Sequence, residues 1–112
     1  MSKKIYEIHA DICKTLGNAK RIEILSALEN RELTVSELVN ILSISPANVS
    51  QHLAIMKQKG ILKSRRNGNN IFYRVSNAKV IKACSLMREV LLERFEEGQE
   101  IARKFSKAKK FF

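Results

Sequence analysis

The amino-acid sequence predicts a mainly α-helical domain with one small β-hairpin and a long last helix. Three features point there. Apolar residues recur at three- and four-residue intervals over most of the 112 positions, the spacing that lines one face of a helix. Two alternating runs, 61–67 and 70–75, flank Gly68-Asn69, a pair that permits the positive φ of a tight hairpin turn. Between Glu37 and Glu89 there is no acidic residue, while Lys57, Lys59, Lys63, Arg65, Arg66, Arg74, Lys79, Lys82 and Arg88 all fall inside that span. The middle of the chain therefore faces an anion.

The elements follow in order. Ile5, Ile8, Ile12 and Leu16 share one face of a first helix that Gly17 ends. Asn18 caps a second helix, whose apolar face is Ile22, Leu25 and Leu28, widened by Ile24. Thr34 and Glu37 have the Ser/Thr-x-x-Glu spacing of a capping box ahead of Leu38, Val39, Ile41 and Leu42, the third helix. Ser45-Pro46 places a cap and a first-turn proline at the start of a fourth, in which Val49, Leu53 and Met56 face inward and Gly60 stops the run. After the hairpin, Val80, Cys84, Met87, Leu91, Gly98, Ile101 and Phe105 keep a heptad-like register, predicting one helix from Ala78 to about Ala108. Arg94 and Gly98 interrupt that stripe, so the helix-to-helix dimer seam is placed at Val80 to Leu91. The basic tail Arg103 to Phe112 is expected to be a solvated end.

Composition removes several classes. Twenty-one basic against 11 acidic residues give a net charge of +10, which favours nucleic acid or an anionic surface over acidic small substrates. No stretch approaches a membrane span, and Met-Ser-Lys-Lys leads into a mixed segment with Glu7 and Asp11 instead of a signal core, so a cytoplasmic protein without membrane contact is expected. Two cysteines are too few for a disulfide scaffold, and neither has a close-spaced thiol partner. No nucleophile–base–orienter set, paired carboxylates or phosphate loop stands out, so the chain is not expected to be an enzyme.

A third and fourth helix in tandem, followed by a basic hairpin, read as a helix-turn-helix with a wing. The second helix of such a pair enters the major groove, and short side chains at its N-terminal end let the backbone approach the base edges. Ser45, Ala47, Asn48, Ser50 and Gln51 have that character, with Lys57 beyond them. Gln51 and Asn48 can each hold adenine through two hydrogen bonds, Ser50 suits a base or a phosphate, and Ala47 suits a thymine methyl. His52 is a phosphate or a packing contact. In the hairpin, Lys63, Arg65, Arg66 and Arg74, with Asn67, Asn69 and Asn70 at the tip, suit phosphates or the adjacent minor groove. Phe72 and Tyr73 are read as strand residues, one of them in the core, ahead of single-strand stacking platforms.

Five stretches in order, Lys14-Thr-Leu-Gly-Asn-Ala-Lys-Arg-Ile-Glu-Ile-Leu, Leu33-Thr-Val-Ser-Glu-Leu, Val49-Ser-Gln-His-Leu, Lys59-Gly-Ile-Leu and Arg65-Arg-Asn-Gly-Asn-Asn-Ile-Phe-Tyr-Arg, resemble the ArsR/SmtB family. The resemblance implies a single winged helix-turn-helix domain over 1–112. Its first and last helices (1–17 and 78–108) dimerise, 34–60 form the helix-turn-helix and 61–76 the wing. It also implies a homodimeric repressor of a double-stranded DNA operator, released by an effector.

The family's metal positions are altered. Where its third helix carries Cys-Val-Cys, this chain has Thr34-Val35-Ser36, and where its last helix offers Asp and His, this chain has Asn77 and Lys79. No metal is expected at those positions, and no cofactor is implied. Cys13, His9 four residues before it, and Cys84 remain as an effector site, by a thiol or persulfide bridge between the cysteines as in thiol-sensing relatives, or by a soft metal with His9. The plainer reading is two small hydrophobes and a surface histidine. A rival function is a winged helix serving only as a protein-interaction module within a larger assembly.

Overall fold

Helix boundaries coincide with local capping signals. The computed structural model describes residues 2–97. Helix α1 (Lys3–Leu16) closes at Gly17, whose N–H donates to the Lys14 carbonyl. Helix α2 (Ala19–Ala27) opens at Asn18, whose Oδ1 accepts the amides of Lys20 and Arg21 at 3.0 and 3.2 Å. Helix α3 (Val35–Leu42) carries the full capping box: Thr34 Oγ1 accepts from the Glu37 amide at 3.2 Å, and Glu37 Oε1 accepts from the Thr34 amide at 3.0 Å. Helix α4 (Pro46–Gln58) begins at Ser45, whose hydroxyl accepts from the Asn48 amide, with Pro46 in the first turn where its missing N–H costs nothing.

Between α3 and α4 the chain reverses at Ser43, which sits in the left-handed region at φ 57°, a conformation usually left to glycine. Strands β1 (Leu62–Asn67) and β2 (Asn70–Val75) pair antiparallel in the register Leu62–Val75 to Asn67–Asn70. At the hairpin turn, Gly68 alone takes positive φ, at 64°; Asn69 does not, which is the pattern of a turn with glycine first. The base of the hairpin is tied by Ser76, whose Oγ donates to the Gly60 carbonyl at 2.6 Å and whose N–H donates to that of Ile61 at 2.9 Å. Helix α5 (Ala78–Glu97) completes the order, and Asn77 caps it by accepting the Lys79 amide at 2.9 Å.

The core lies among α2, α3, α4 and the start of β1. Ile24, Leu25 and Leu28 meet Leu38 and Leu42 of α3, Val49, Leu53 and Met56 of α4, and Ile61 and Leu62. Leu33 extends the sheet beyond the hairpin: its N–H and C=O both pair with Tyr73, making β2 the central strand of a short three-stranded edge. Tyr73 packs on the core and Phe72 lies on the other face, so one of the pair does turn inward.

Two sequence expectations change. The buried face of α2 is Ile24, Leu25 and Leu28, and Ile22 is 38% exposed, because α2 is covered by α3 and α5 on the side one residue round from the predicted stripe. The heptad-like stripe of α5 is also divided. Val80, Ile81 and Cys84 pack against the chain's own core, whereas Leu86, Met87, Val90, Leu91 and Leu92 are exposed, Met87 by 62%. The uncovered part of the stripe therefore begins after Cys84. Its predicted continuation through Gly98, Ile101 and Phe105, and the tail from Arg103, lie outside the described residues.

Candidate nucleic-acid interface

Helix α4 is two-sided. Val49, Leu53 and Met56 are fully buried, so the opposite stripe, at spacings of four, three and four residues, is Ala47, Gln51, Ala54 and Gln58, all exposed. Asn48 and Ser50 flank it, also exposed. Among the described residues the side chains of Asn48, Ser50, Gln51 and Gln58 make no hydrogen bond, so their donors and acceptors are available to a partner. Gln58 went unnoticed in the sequence because it lies at the end of the helix, yet the spacing from Gln51 and Ala54 places it on the same line. Ser45 is partly committed, since its oxygen holds the helix cap.

His52 turns away from that stripe. Its Nδ1 accepts a hydrogen bond from Arg21 Nε at 3.1 Å, and Arg21 Nη1 also donates to the Thr15 carbonyl at 3.0 Å. The same Thr15 returns its hydroxyl to the Asp11 carbonyl at 2.8 Å, and Asp11 pairs with Lys59 at 2.8 Å. This chain of contacts ties the C-terminal half of α1 to the middle of α4 and to its C-terminal cap. Accepting at Nδ1 makes the ring neutral with its proton on Nε2. Partial burial, and then the Arg21 charge, hold its pKa below the ordinary 6.5. Between packing and phosphate contact, the geometry supplies the packing role directly.

The hairpin sorts its cations by face. Directly opposed residues in the register point the same way, so Ser64, Tyr73, Arg66 and Ile71 continue the core side, while Lys63, Arg74, Arg65 and Phe72 share the other. Arg65 is already engaged. It lies over the Phe72 ring, 4.8 Å from the centroid, and its Nε reaches both carboxylate oxygens of Glu32 at 3.0 and 2.9 Å. That hydrogen bond holds the Glu32 carboxyl below its ordinary pKa, helped by the nearby charges of Arg65 and Arg74. Lys57, Lys63 and Arg66 are exposed and make no ion pair among the described residues, as do the amides Asn67, Asn69 and Asn70 at the tip. Only the Nε of Arg65 is held by Glu32, so the guanidinium charge is paired there while its Nη donors are not.

Residues 18–64 match the family described as bacterial regulatory protein, arsR family. Rv0081 of Mycobacterium tuberculosis, described as an uncharacterized HTH-type transcriptional regulator, is 31% identical over 91 residues, 80% of each chain. The chain belongs to the arsR family. Its fold superposes on the crystal structure of Rv0081 with a TM-score of 0.75 at 28% identity, over 86% of this chain and 97% of that one. The transcriptional activator HlyU of Vibrio cholerae is 32% identical over 79 residues, 70% of this chain and 73% of its own. The solution structure of Mb0332 from Mycobacterium bovis, a homodimeric winged helix-turn-helix DNA-binding domain, matches with a TM-score of 0.77 at 25% identity, over 87% and 93%.

As an arsR-family member the chain is a DNA-binding transcriptional regulator with a winged helix-turn-helix, in a family of regulators and not of enzymes. Among its described residues no helix is long and apolar enough to cross a membrane. The residues at the two family metal positions do not fit a metal. Thr34 and Ser36 are hydroxyls without a thiolate, and Thr34 is the α3 cap; Asn77 is an amide used as the α5 cap and Lys79 is a cation. Cys13 is exposed on α1, Cys84 is half-buried on α5 and both are free thiols; His9 is exposed.

Proposed function

We propose that the protein is a homodimeric repressor that reads an imperfect palindrome in double-stranded DNA through two copies of α4. The observation that carries this reading is the outer stripe of α4: exposed, uncharged, small or amide-bearing, followed by Lys57, while the wing adds the exposed cations Lys63 and Arg66. Gln51 and Asn48 read bases, Ala47 and Ala54 keep the backbone close, and the wing holds phosphates. Dimerisation is supported by the apolar side chains that the protomer leaves uncovered, Ile5, Tyr6 and Ile8 on α1 and Leu86 to Leu92 on α5. A compact dimer lying on a promoter excludes other proteins from it, which makes repression the simplest outcome; HlyU, named an activator, marks the opposite sign.

Selection of bound sequences from random duplexes, followed by salt titration, tests the reading. Affinity should fall steeply with salt, Arg66→Ala should lower the salt slope by about one, and Gln51→Ala should cost about 1–3 kcal/mol at one base position only. Negligible binding to every duplex at low salt would favour the interaction module instead. Transcription from the selected site, with and without the protein, fixes the sign.

For release, a bridge between Cys13 and Cys84 would join the two helices that carry the uncovered apolar faces. Within a protomer no group of three His, Cys, Asp or Glu able to hold a metal forms among the described residues, so a soft metal at His9 and Cys13 lacks a third ligand there. Mass spectrometry after persulfide treatment tests the thiol route: absence of a Cys13–Cys84 linkage together with unchanged operator affinity would sink it.

A further inference from the structure

Outside the α4 surface, the described part of the molecule has a groove of about 920 Å³ between the α2–α3 loop, the wing and α5. Its size is that of small-molecule sites. Leu28, Val75, Ala78 and Ile81 give it an apolar lining, and Ser85 contributes a hydroxyl. The charges around it are unequal. Arg31, Arg65, Arg74 and Lys82 line it against Glu29 and Glu32, and since Arg65 is spent on Glu32, the balance is Arg31, Arg74 and Lys82 against one carboxylate. Lys82 makes no ion pair among the described residues, and Arg31 uses only its Nε, donating to the Ala27 carbonyl at 2.7 Å. The loop is shaped firmly, with Asn30 left-handed at φ 58° and the Arg31 amide bonded to Leu28.

An apolar lining shared with an excess of cations suits one kind of ligand. We infer that this groove binds a small organic anion with an apolar body, and that its occupancy weakens DNA binding by drawing Arg74 from the wing surface. The anionic group lies between Arg74 and Lys82, and the body rests on Leu28, Val75 and Ile81. Arg74 is the shared element: it lines the groove and, paired in register with Lys63, belongs to the wing face to which the proposed function gives phosphate contact. The effect on DNA rests on the regulator reading above; the binding site itself does not.

The probe is 8-anilinonaphthalene-1-sulfonate, an aromatic sulfonate, with uncharged N-phenyl-1-naphthylamine as its control, each titrated by fluorescence against the whole chain. Lys82→Glu, an exposed position outside the α4 and wing contacts, should weaken the sulfonate by about tenfold or more and leave the neutral dye unchanged. Ser85→Phe, which fills the groove, should weaken both. Circular dichroism checks that each variant folds. Equal sulfonate affinity in the wild type and Lys82→Glu, or neutral dye binding as tightly as the sulfonate, overturns the site, since dye on the uncovered dimer faces would show that behaviour. Saturating sulfonate should then lower duplex affinity by about five- to tenfold in the wild type but not in Lys82→Glu. Lys82-dependent dye binding with unchanged duplex affinity overturns the coupling. If no duplex binds even without dye, the regulator reading fails while Lys82-dependent dye binding still supports the groove.

Discussion

Helices α4 and α5 carry comparable apolar stripes and use them differently. In α4 every inward residue of the stripe is buried by the protomer itself, and Val49, Leu53 and Met56 are fully enclosed. In α5 none of the described side chains is fully buried, and the half after Cys84 shows solvent a row of large apolar groups. The first stripe is satisfied within one chain and the second is left uncovered by it. Stability of α4 should thus be a property of the protomer, and stability of α5 a property of concentration.

The largest effect should come from breaking the enclosed side. Leu53→Ala removes a fully buried side chain from the centre of the core and should cost about 2–5 kcal/mol, read by urea unfolding, with the loss independent of protein concentration. Leu91→Asp tests the other side. In the protomer it stays at the surface, so the fold measured by circular dichroism should persist, but a charge in the seam should weaken association by about 2–4 kcal/mol, read by sedimentation. In that variant the melting temperature should lose its concentration dependence, and duplex binding should fall because two half-sites are no longer bound together. A Leu91→Asp protein that remains dimeric would place the seam elsewhere.

The same contrast explains what could be read from the sequence. The helix-turn-helix was legible because its determinants are local: Thr34 and Glu37 are three residues apart, Ser45 and Pro46 are adjacent, and the α4 stripe repeats within one helix. Thr34→Ala, which removes half of the capping box, should accordingly cost about 1 kcal/mol and leave duplex specificity intact. What stayed hidden depends on distant pairs. The Arg65–Glu32 and Arg21–His52 contacts join residues 33 and 31 positions apart, so no window of sequence reveals them. Likewise the displaced face of α2 is set by which neighbours cover it, and the Leu33–Tyr73 bridge by how the α2–α3 loop returns to the hairpin. The base-reading and phosphate roles assigned to α4 and the wing rest on exposure and chemistry, and the duplex experiments above are their test.

The smallest expected effect is one of pH, and it bears on the inner side of α4. Arg21 grips His52 at the neutral nitrogen Nδ1, so protonation of that nitrogen would set a cationic ring against a guanidinium and release the grip. The folded pKa is lowered below 6.5, which means that the unfolded chain takes up the proton first. The contribution to stability is therefore complete above pH 6.5 and lost as pH falls through the folded value. Loss of the His52 contribution begins as pH falls below 6.5, whereas that of Glu32, whose carboxyl is held below its ordinary 4.5 by Arg65, begins only below 4.5. His52→Gln keeps an acceptor for Arg21 but cannot titrate. Urea midpoints measured from pH 7 to 5 should decline in the wild type and stay flatter in His52→Gln, with the difference reduced but not abolished in Arg21→Ala, where burial still lowers the pKa. Parallel declines in wild type and His52→Gln would show that His52 does not titrate against the fold in this range, leaving the tether to the Lys59–Asp11 pair and the Arg21–Thr15 bond.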